Sequence, residues 1–400
     1  MTARPLVTIE EARRLLSEAG APVTRTETCA LEHLHGRVLA RALVAANDVP
    51  AFARSAMDGF AIRAADTAAA SRDSPVPLRV VDEAWAGHPA TGTVRSGTAI
   101  AIATGGVIPE GADAVVMVED TSRHGNEVSV GARVERGQHV SPRASDLRAG
   151  AAALEAGDLL TPARVGVVAA LGLTGAEVYR RPVVAILSSG DEVAPAGAPL
   201  GPGQVHDVNT HTLAAIVAAS GGSAVAHARL ADRAGDVERA VREAAGSDLV
   251  LVSGGSSVGG RDFVLDVLGR LGDIRFQGIS VKPGKPTVLA VVEGRPVIGM
   301  PGNPTSCLSN GYLLVAPLVR RLARLPPLEP RIVPARLAKA VSSPPDRHQF
   351  YTVRIAEGIA EPAFKGSGDI TSMARADGYF EIPVGVGRVD AGATIHVTLF

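Results

Sequence analysis

Cysteine is nearly absent from this 400-residue chain, which has only Cys29 and Cys307. The two lie far apart and match no zinc-ligand spacing. Neither a disulfide framework nor a zinc module is expected, and each is read as a buried free thiol. Aromatic residues make up 3%, so the cores must be built from Ala, Val, Leu and Ile. No sign of charge prevails: 40 basic and 41 acidic residues leave a net charge of −1. That excludes a surface given over to nucleic acid or to an anionic membrane, and it makes any anion binding local. No apolar run approaches the roughly 20 residues of a membrane helix. The stretch Met1-Thr-Ala-Arg-Pro-Leu-Val-Thr8 lacks the apolar region of a signal peptide. Low-complexity segments and internal repeats are missing as well. Scarce cysteine fits a reducing compartment, and the expectation is a soluble cytoplasmic protein.

What is present is apolar mass, 46% of the residues, enough for two to four domains at this length. Thr8-Ile-Glu-Glu11 has the pattern of a capping box. Ala12, Leu15, Leu16 and Ala19 follow at helical spacing, and Gly20 is placed to end the helix. Residues 49–149 read as β-rich, with short β-branched runs at Leu78–Val81, Ala99–Ala103, Ala114–Val118 and Val128–Val130 separated by turn residues. Residues 150–181 return to a helical texture around Val165–Leu171. The segments 1–48 and 150–181 are expected to pack together as a split helical domain carrying the β-rich insert.

Residues 182–327 alternate strand and helix. Val183–Ser188, Leu249–Val252 and Pro296–Met300 read as buried strands, with Asn209 or Thr210 capping one helix and others running from about Asp262 and after Pro304. The pattern predicts a doubly wound parallel sheet with helices on both faces and ligands beyond the carboxyl ends of the strands. Pro326-Pro327 marks a linker, and residues 328–400 read as a small C-terminal β-barrel.

Three loops there carry candidate chemistry. Ser253-Gly-Gly-Ser-Ser-Val-Gly-Gly260 joins a strand to a helix; it is neither a Walker A loop nor a dinucleotide fingerprint, and it suits phosphate or pterin-type recognition as well as a plain connection. Lys282-Pro-Gly-Lys285 places two ammonium groups on a proline-restricted loop, either as an oxyanion site or as a solvated turn. Met300-Pro-Gly-Asn-Pro-Thr-Ser306 follows the last strand. Acidic candidates for a divalent metal are Asp58, Asp191, Glu192, Asp232, Asp248 and Asp262, although Asp248 and Asp262 also suit turn and cap roles. Ser55-Ala-Met-Asp-Gly-Phe60 and Ala103-Thr-Gly-Gly106 are dense in turn residues. The ten histidines form no metal or triad spacing.

Taken together, these motifs resemble the MoeA family of molybdopterin molybdenumtransferases, which includes the gephyrin E domain. The carriers are Pro50-Ala-Phe-Ala-Arg-Ser-Ala-Met-Asp-Gly-Phe-Ala61, the stretch from Ala103 to Val116, Leu187-Ser-Ser-Gly-Asp-Glu192, and the three loops above, in the family's order along the whole chain. The resemblance implies a multidomain α/β plus β protein with a MogA-like domain. It also implies an elongated homodimer with a cleft between the α/β domain of one subunit and the β-rich insert of the other. The implied reaction inserts molybdenum from molybdate into adenylated molybdopterin, with Mg²⁺-dependent release of AMP.

In that reading Lys282 and Lys285 hold anionic charge, helped by Ser306 and Ser367. Glu192, Asp232 and Asp262 line the cleft or position the attacking oxygen, with Asp232 and Asp262 binding the metal. Asp58 and Thr104 reach in from the partner subunit. Ser253, Gly254, Gly255, Ser257, Gly259, Pro301, Gly302 and Asn303 cradle pterin and phosphate. Asp146 is kept from a motif that has otherwise changed. Ser141, Gly278 and Thr352 stand where relatives carry basic residues. Those replacements motivate the competing reading of a non-catalytic molybdopterin-binding paralogue or scaffold. A pterin adenylyltransferase is a third reading, countered by the extra N-terminal domains. A molybdopterin adenylyltransferase and molybdoenzyme-maturation proteins are the expected protein partners.

Overall fold

The computed structural model describes residues 5–226, 229–254 and 263–400. The chain forms two compact units: residues 1–27, 36–38 and 177–400 in one, and residues 28–35 and 39–176 in the other.

In the larger unit a six-stranded sheet runs in the order Ser223–Ala226, Val183–Ser188, Leu249–Ser253, Arg295–Met300, Val288–Val292, Asp273–Gln277. The first four strands are parallel. The last two are antiparallel, which corrects the expectation of a wholly parallel sheet. The physical reason is the connection: Val288–Val292 turns into Arg295–Met300 through Glu293 and Gly294, both at positive φ (49° and 75°), a two-residue hairpin with no room for a crossover helix. Both faces are covered, as expected. Val184, Ile186, Leu249, Leu251 and Ile298 point into one core, and Ala185, Leu187, Val250, Val252 and Val297 into the other. A strand buried on both faces reads as a continuous apolar run.

The N-terminal helix is Ile9–Ala19, capped by Thr8, whose Oγ1 accepts from the Glu11 amide at 3.2 Å. Ile9, Ala12 and Leu16 are buried in the first of those cores. This helix therefore packs into the core of the α/β sheet. Within the smaller unit, residues of segments 1–48 and 150–181 pair with each other: Val44 faces Ala152 and Leu43 faces Leu154, and the amides of Leu31, Leu39 and Ala45 donate to the carbonyls of Thr174, Asp158 and Ala151. The helix Asn209–Ala219 is capped by Asp207, two residues before the earlier of the expected caps: Asp207 accepts from the amide and hydroxyl of Thr210. The long helix after Pro304 is broken into Pro304–Asn310, a π turn Gly311–Val315, and Ala316–Leu322.

The C-terminal segment closes a five-stranded barrel of His348–Ala356, Ile359–Pro362, Ile332–Leu337, Thr394–Leu399 and Gly378–Ile382, the last pairing back to the first. The short strand Val281–Lys282 joins it in parallel, with Val281 opposite His348 and Lys282 opposite Gln349. Across the barrel wall His348 Nε2 lies 2.5 Å from Glu381 Oε2. That bond holds the Glu381 carboxyl below its usual range. A lowered folded-state value means the stabilisation is present above the carboxyl's unfolded value and is lost as pH falls through the folded one. Glu381→Gln is therefore expected to flatten the decline in melting temperature below about pH 4.5, near a free carboxyl's value. Thermal scans from pH 7 to pH 3 on both proteins test this, and an unchanged slope refutes it.

The smaller unit is built on a second six-stranded sheet, in the order Ala114–Met117, Gly59–Ile62, Thr98–Ile102, Val76–Ala84, Glu127–Val130, Thr121–His124. Phe60, Ile62, Leu78 and Val116 fill one side, and Ala61, Ile100, Ile102 and Val115 the other. All four expected strand runs lie in this sheet, with ends displaced by up to three residues.

Candidate functional site

Three strands of the α/β sheet end side by side at Ser188, Ser253 and Met300. Gly254 leaves its strand at φ 101°, and a Cβ there would lie 2.0 Å from the Ser189 carbonyl oxygen. Only glycine lets the two chains approach so closely. Gly302 lies against the Gly254 Cα, and Pro301 is buried behind it. Asn209, at the start of its helix, spans the gap: its Nδ2 donates to Ser253 Oγ at 2.7 Å and to the Gly302 carbonyl at 2.8 Å. Ser253, Gly254, Pro301, Gly302 and Asn303 are thus brought together. Gly255, Ser257, Gly259 and Asp262 lie outside the described residues.

The acidic side of the crevice comes from two loops. Asp232 accepts from Ser189 Oγ at 2.5 Å, and its amide lies 3.5 Å from Asp191 Oδ1. Glu192 folds back over Gly190, its Oε2 2.9 Å from where a Cβ would stand. Arg229 ties this loop by donating to the carbonyls of Gly190, Asp191 and Val193. Asp191, Glu192 and Asp232 are oxygen donors of the kind a hard cation takes, but among the described residues no three such side chains are grouped closely enough to hold a metal ion. Asp248 does not belong here: it is buried, paired with Arg25 and Arg295, and accepts from the Val183 amide, which makes it structural.

Lys282 and Lys285 sit on the loop that leaves the barrel-paired strand, Lys282 half-buried and Lys285 exposed. Among the described residues no carboxylate pairs with either ammonium. Their charge is free for a ligand. Ser367 reaches the next loop from the C-terminal segment: its carbonyl accepts from the amides of Thr305 and Ser306, and its Oγ from Asn303 Nδ2 at 3.1 Å. Ser306 and Ser367, far apart in sequence, are neighbours at the start of one helix.

In the smaller unit the two turn-rich motifs lie against each other. The Thr104 amide and hydroxyl both donate to Asp58 Oδ1, at 2.7 and 2.9 Å. Those bonds, the amide's first, hold the exposed Asp58 carboxyl below its usual range. Gly59 is required next to it because a Cβ would meet the Val116 carbonyl oxygen at 1.9 Å. Residues 139–146 join the same cluster: the His139 carbonyl accepts from the Ala56 amide, and the Asp146 amide donates to Val49. Asp58, Thr104 and Asp146 thus share one end of the unit.

The positions lacking a basic side chain have local reasons. Gly278 sits at φ 88°, and a Cβ would meet Leu6 Cδ2 at 2.6 Å, so no longer residue fits without displacement. Thr352 is fully buried in the barrel wall. Ser141 pairs with Ser145 at 3.2 Å. Two site residues escaped the reading of the sequence. Ser189 stood unassigned within the Leu187–Glu192 motif, and Asn209 looked like a cap; a serine just past a buried strand and an asparagine after Asp207 were the signals. Cys307, also buried here, has its thiol pushed up to about 12 by burial, so it is inert packing.

Asn209→Ala should strip Ser253 Oγ and the Gly302 carbonyl of their donor at a cost of about 1–3 kcal/mol. Denaturant melts of both proteins measure it, and a loss under half a kilocalorie would remove Asn209 as the tie across the crevice.

Comparison with known proteins covers nearly the whole chain. Residues 7–172 match the MoeA N-terminal region (domains I and II), residues 185–321 a probable molybdopterin-binding domain, and residues 334–400 the MoeA C-terminal region (domain IV). The molybdopterin molybdenumtransferase 2 of Mycobacterium tuberculosis is 34% identical over 97% of this chain and 98% of its own length. The molybdopterin molybdenumtransferase of Haemophilus influenzae is 31% identical over 99% of both. Two crystal structures of molybdopterin biosynthesis MoeA proteins from Pyrococcus horikoshii superpose with TM-scores of 0.84 and 0.83, at 35% and 30% identity, covering 99% of this chain.

Proposed function

The chain belongs to the MoeA family and is a molybdopterin molybdenumtransferase of molybdenum cofactor biosynthesis, and we propose that it transfers molybdenum from molybdate onto adenylated molybdopterin with release of AMP. The observation that carries this reading is the Lys282–Lys285 loop, whose two ammonium groups have no acidic partner among the described residues and lie in the unit that holds the carboxylate crevice.

Molybdate is a tetrahedral dianion, and the adenylate linkage is a diphosphate. Both need positive charge and N–H donors that are fixed before they arrive. Lys282 and Lys285 supply the charge, and Ser306 and Ser367 line the neighbouring loop. Ser253, Gly254, Pro301, Gly302 and Asn303 form the floor on which the pterin and its phosphate rest. Ser189 holds one oxygen of Asp232, leaving the other for a ligand. Glu192 lies on the loop whose Asp191 meets the Asp232 amide, and either carboxylate can hold a proton or orient the oxygen that displaces AMP. Mg²⁺, when bound, would be held by Asp232 with Asp262 and would polarise the phosphate oxygens. Asp58, Thr104 and Asp146 would complete the cleft from a second copy of the chain in a homodimer.

Incubating the purified protein with adenylated molybdopterin, molybdate and Mg²⁺ tests the proposal by AMP release and by reconstitution of an apo-molybdoenzyme. Binding without AMP release would favour a scaffold, and formation of the adenylate from ATP would favour an adenylyltransferase.

A further inference from the structure

Asn310 is the last residue of the helix Pro304–Asn310, immediately before the π turn, and it is 0% exposed. Its amide does not serve the helix. Nδ2 donates to the Gly284 carbonyl at 2.9 Å and to Thr287 Oγ1 at 2.7 Å. The Thr287 hydroxyl, also fully buried, donates to the same Gly284 carbonyl at 2.9 Å. The three groups form a closed triangle under the turn Lys282-Pro-Gly-Lys285. The fit is tight: Gly284 sits at φ 110°, and a Cβ on it would lie 2.5 Å from both Nδ2 and Oδ1 of Asn310. The Asn310 amide therefore lies against the Gly284 Cα, between Lys282 and Lys285 in the chain.

Among the described residues Asn310 Oδ1 has no hydrogen-bond partner. A buried amide with an unmet acceptor is a poor way to fill space, because an apolar side chain would leave no polar atom unpaired. What Asn310 gains in return is donation to the loop carbonyl. The other end of the loop is held separately, by pairing of Val281 and Lys282 with His348 and Gln349 and by the bond from the His348 amide to the Ser280 carbonyl. At the far end the Lys285 carbonyl accepts from the Ile279 and Thr287 amides, so both ends of the turn are tied by backbone, and the triangle adds a buried side-chain clamp on Gly284 between them.

We propose that Asn310, through the Gly284 carbonyl and Thr287, is a positioning residue that fixes the Lys282–Lys285 turn so both ammonium groups face one oxyanion. This rests on the reading of that loop as the anion site. An amide on this buried helix thereby sets the geometry of cations it does not touch.

The test compares Asn310→Leu and the isosteric Thr287→Val with the parent and with Lys282→Ala/Lys285→Ala, measuring the KM for molybdate and kcat by AMP release, alongside thermal melts. Misplacing a binding group by about an ångström can cost up to about 100-fold. Asn310→Leu should accordingly raise the molybdate KM by about 10–100-fold, and Thr287→Val by a smaller factor in the same direction, with kcat changed less than KM. In the double-lysine background neither substitution should raise KM further, because the groups they position are gone. A folded Asn310→Leu or Thr287→Val protein with parental KM overturns the proposal, as does an equal KM rise in both backgrounds. If Asn310→Leu does not melt cooperatively, Thr287→Val alone decides. Should the double-lysine protein itself keep parental KM and kcat, the loop reading fails, a result distinct from impaired lysine variants beside an unaffected Asn310→Leu.

Discussion

Lys282→Ala should lower molybdate-dependent AMP release by about 10²–10³-fold, the usual loss when one fixed donor to a developing charge is removed, while the melting temperature stays within a degree or two of the parent. The two halves of this expectation have separate causes. Lys282 is half-buried on a loop clamped by the barrel and by Asn310, so its charge is less screened than a surface lysine's and costs little to orient. Among the described residues it has no carboxylate partner, so its removal strands no buried charge, the usual source of a large stability loss. Exposed Lys285 should matter less, about tenfold on removal, in keeping with a more screened contact. Single-turnover AMP release and calorimetric melts on the same preparations measure both. Parental turnover in Lys282→Ala would remove that ammonium from the chemistry, and a fall in stability matching the fall in rate would mean that it serves the fold.

Gly254→Ala is expected to act on structure and activity at once. Alanine pays about 1–2 kcal/mol for the left-handed backbone region, where Gly254 sits at φ 101°. The added methyl would lie 2.0 Å from the Ser189 carbonyl oxygen and 2.9 Å from its carbon. These are backbone atoms, unable to swing aside, so the strand end must shift at a further cost of about 1–3 kcal/mol. The total of about 2–5 kcal/mol should appear as a lower melting temperature. Ser189 carries the hydrogen bond that orients Asp232, so the same shift should abolish detectable turnover. Gly246→Ala is the control, since a Cβ there meets nothing within 4 Å. Equal melting temperatures for the two variants would refute the account.

The α/β unit was legible because its strands are buried on both faces and its loops carry glycine and proline at fixed places. Val183–Ser188, Leu249–Ser253 and Arg295–Met300 stand out as apolar runs, and Ser253–Gly254 and Pro301–Asn303 follow from them directly. The antiparallel edge was not legible. Asp273–Gln277 is short and polar, and a hairpin at Glu293-Gly294 looks like any other turn until its φ angles are known. The packing of the Ile9–Ala19 helix was equally hidden, since an apolar stripe states that a helix is buried without stating against what.

The candidate site divides along the same line. Residue types at set spacings announced an anion-binding chain: Lys282-Pro-Gly-Lys285 for charge, glycine loops for close approach, and acidic groups for a hard cation. Those properties are local, so composition and order along the chain suffice to state them. Which groups converge was decided only by the tertiary structure. It set Asp248 aside as a structural ion pair, joined Ser367 to Ser306, laid Asp58 on Thr104, and recruited Ser189, Asn209 and Asn310 from what read as loop, cap and helix. Hydrogen bonds between residues tens of positions apart depend on how the sheet, the barrel and the helices pack, and no spacing along the chain encodes that.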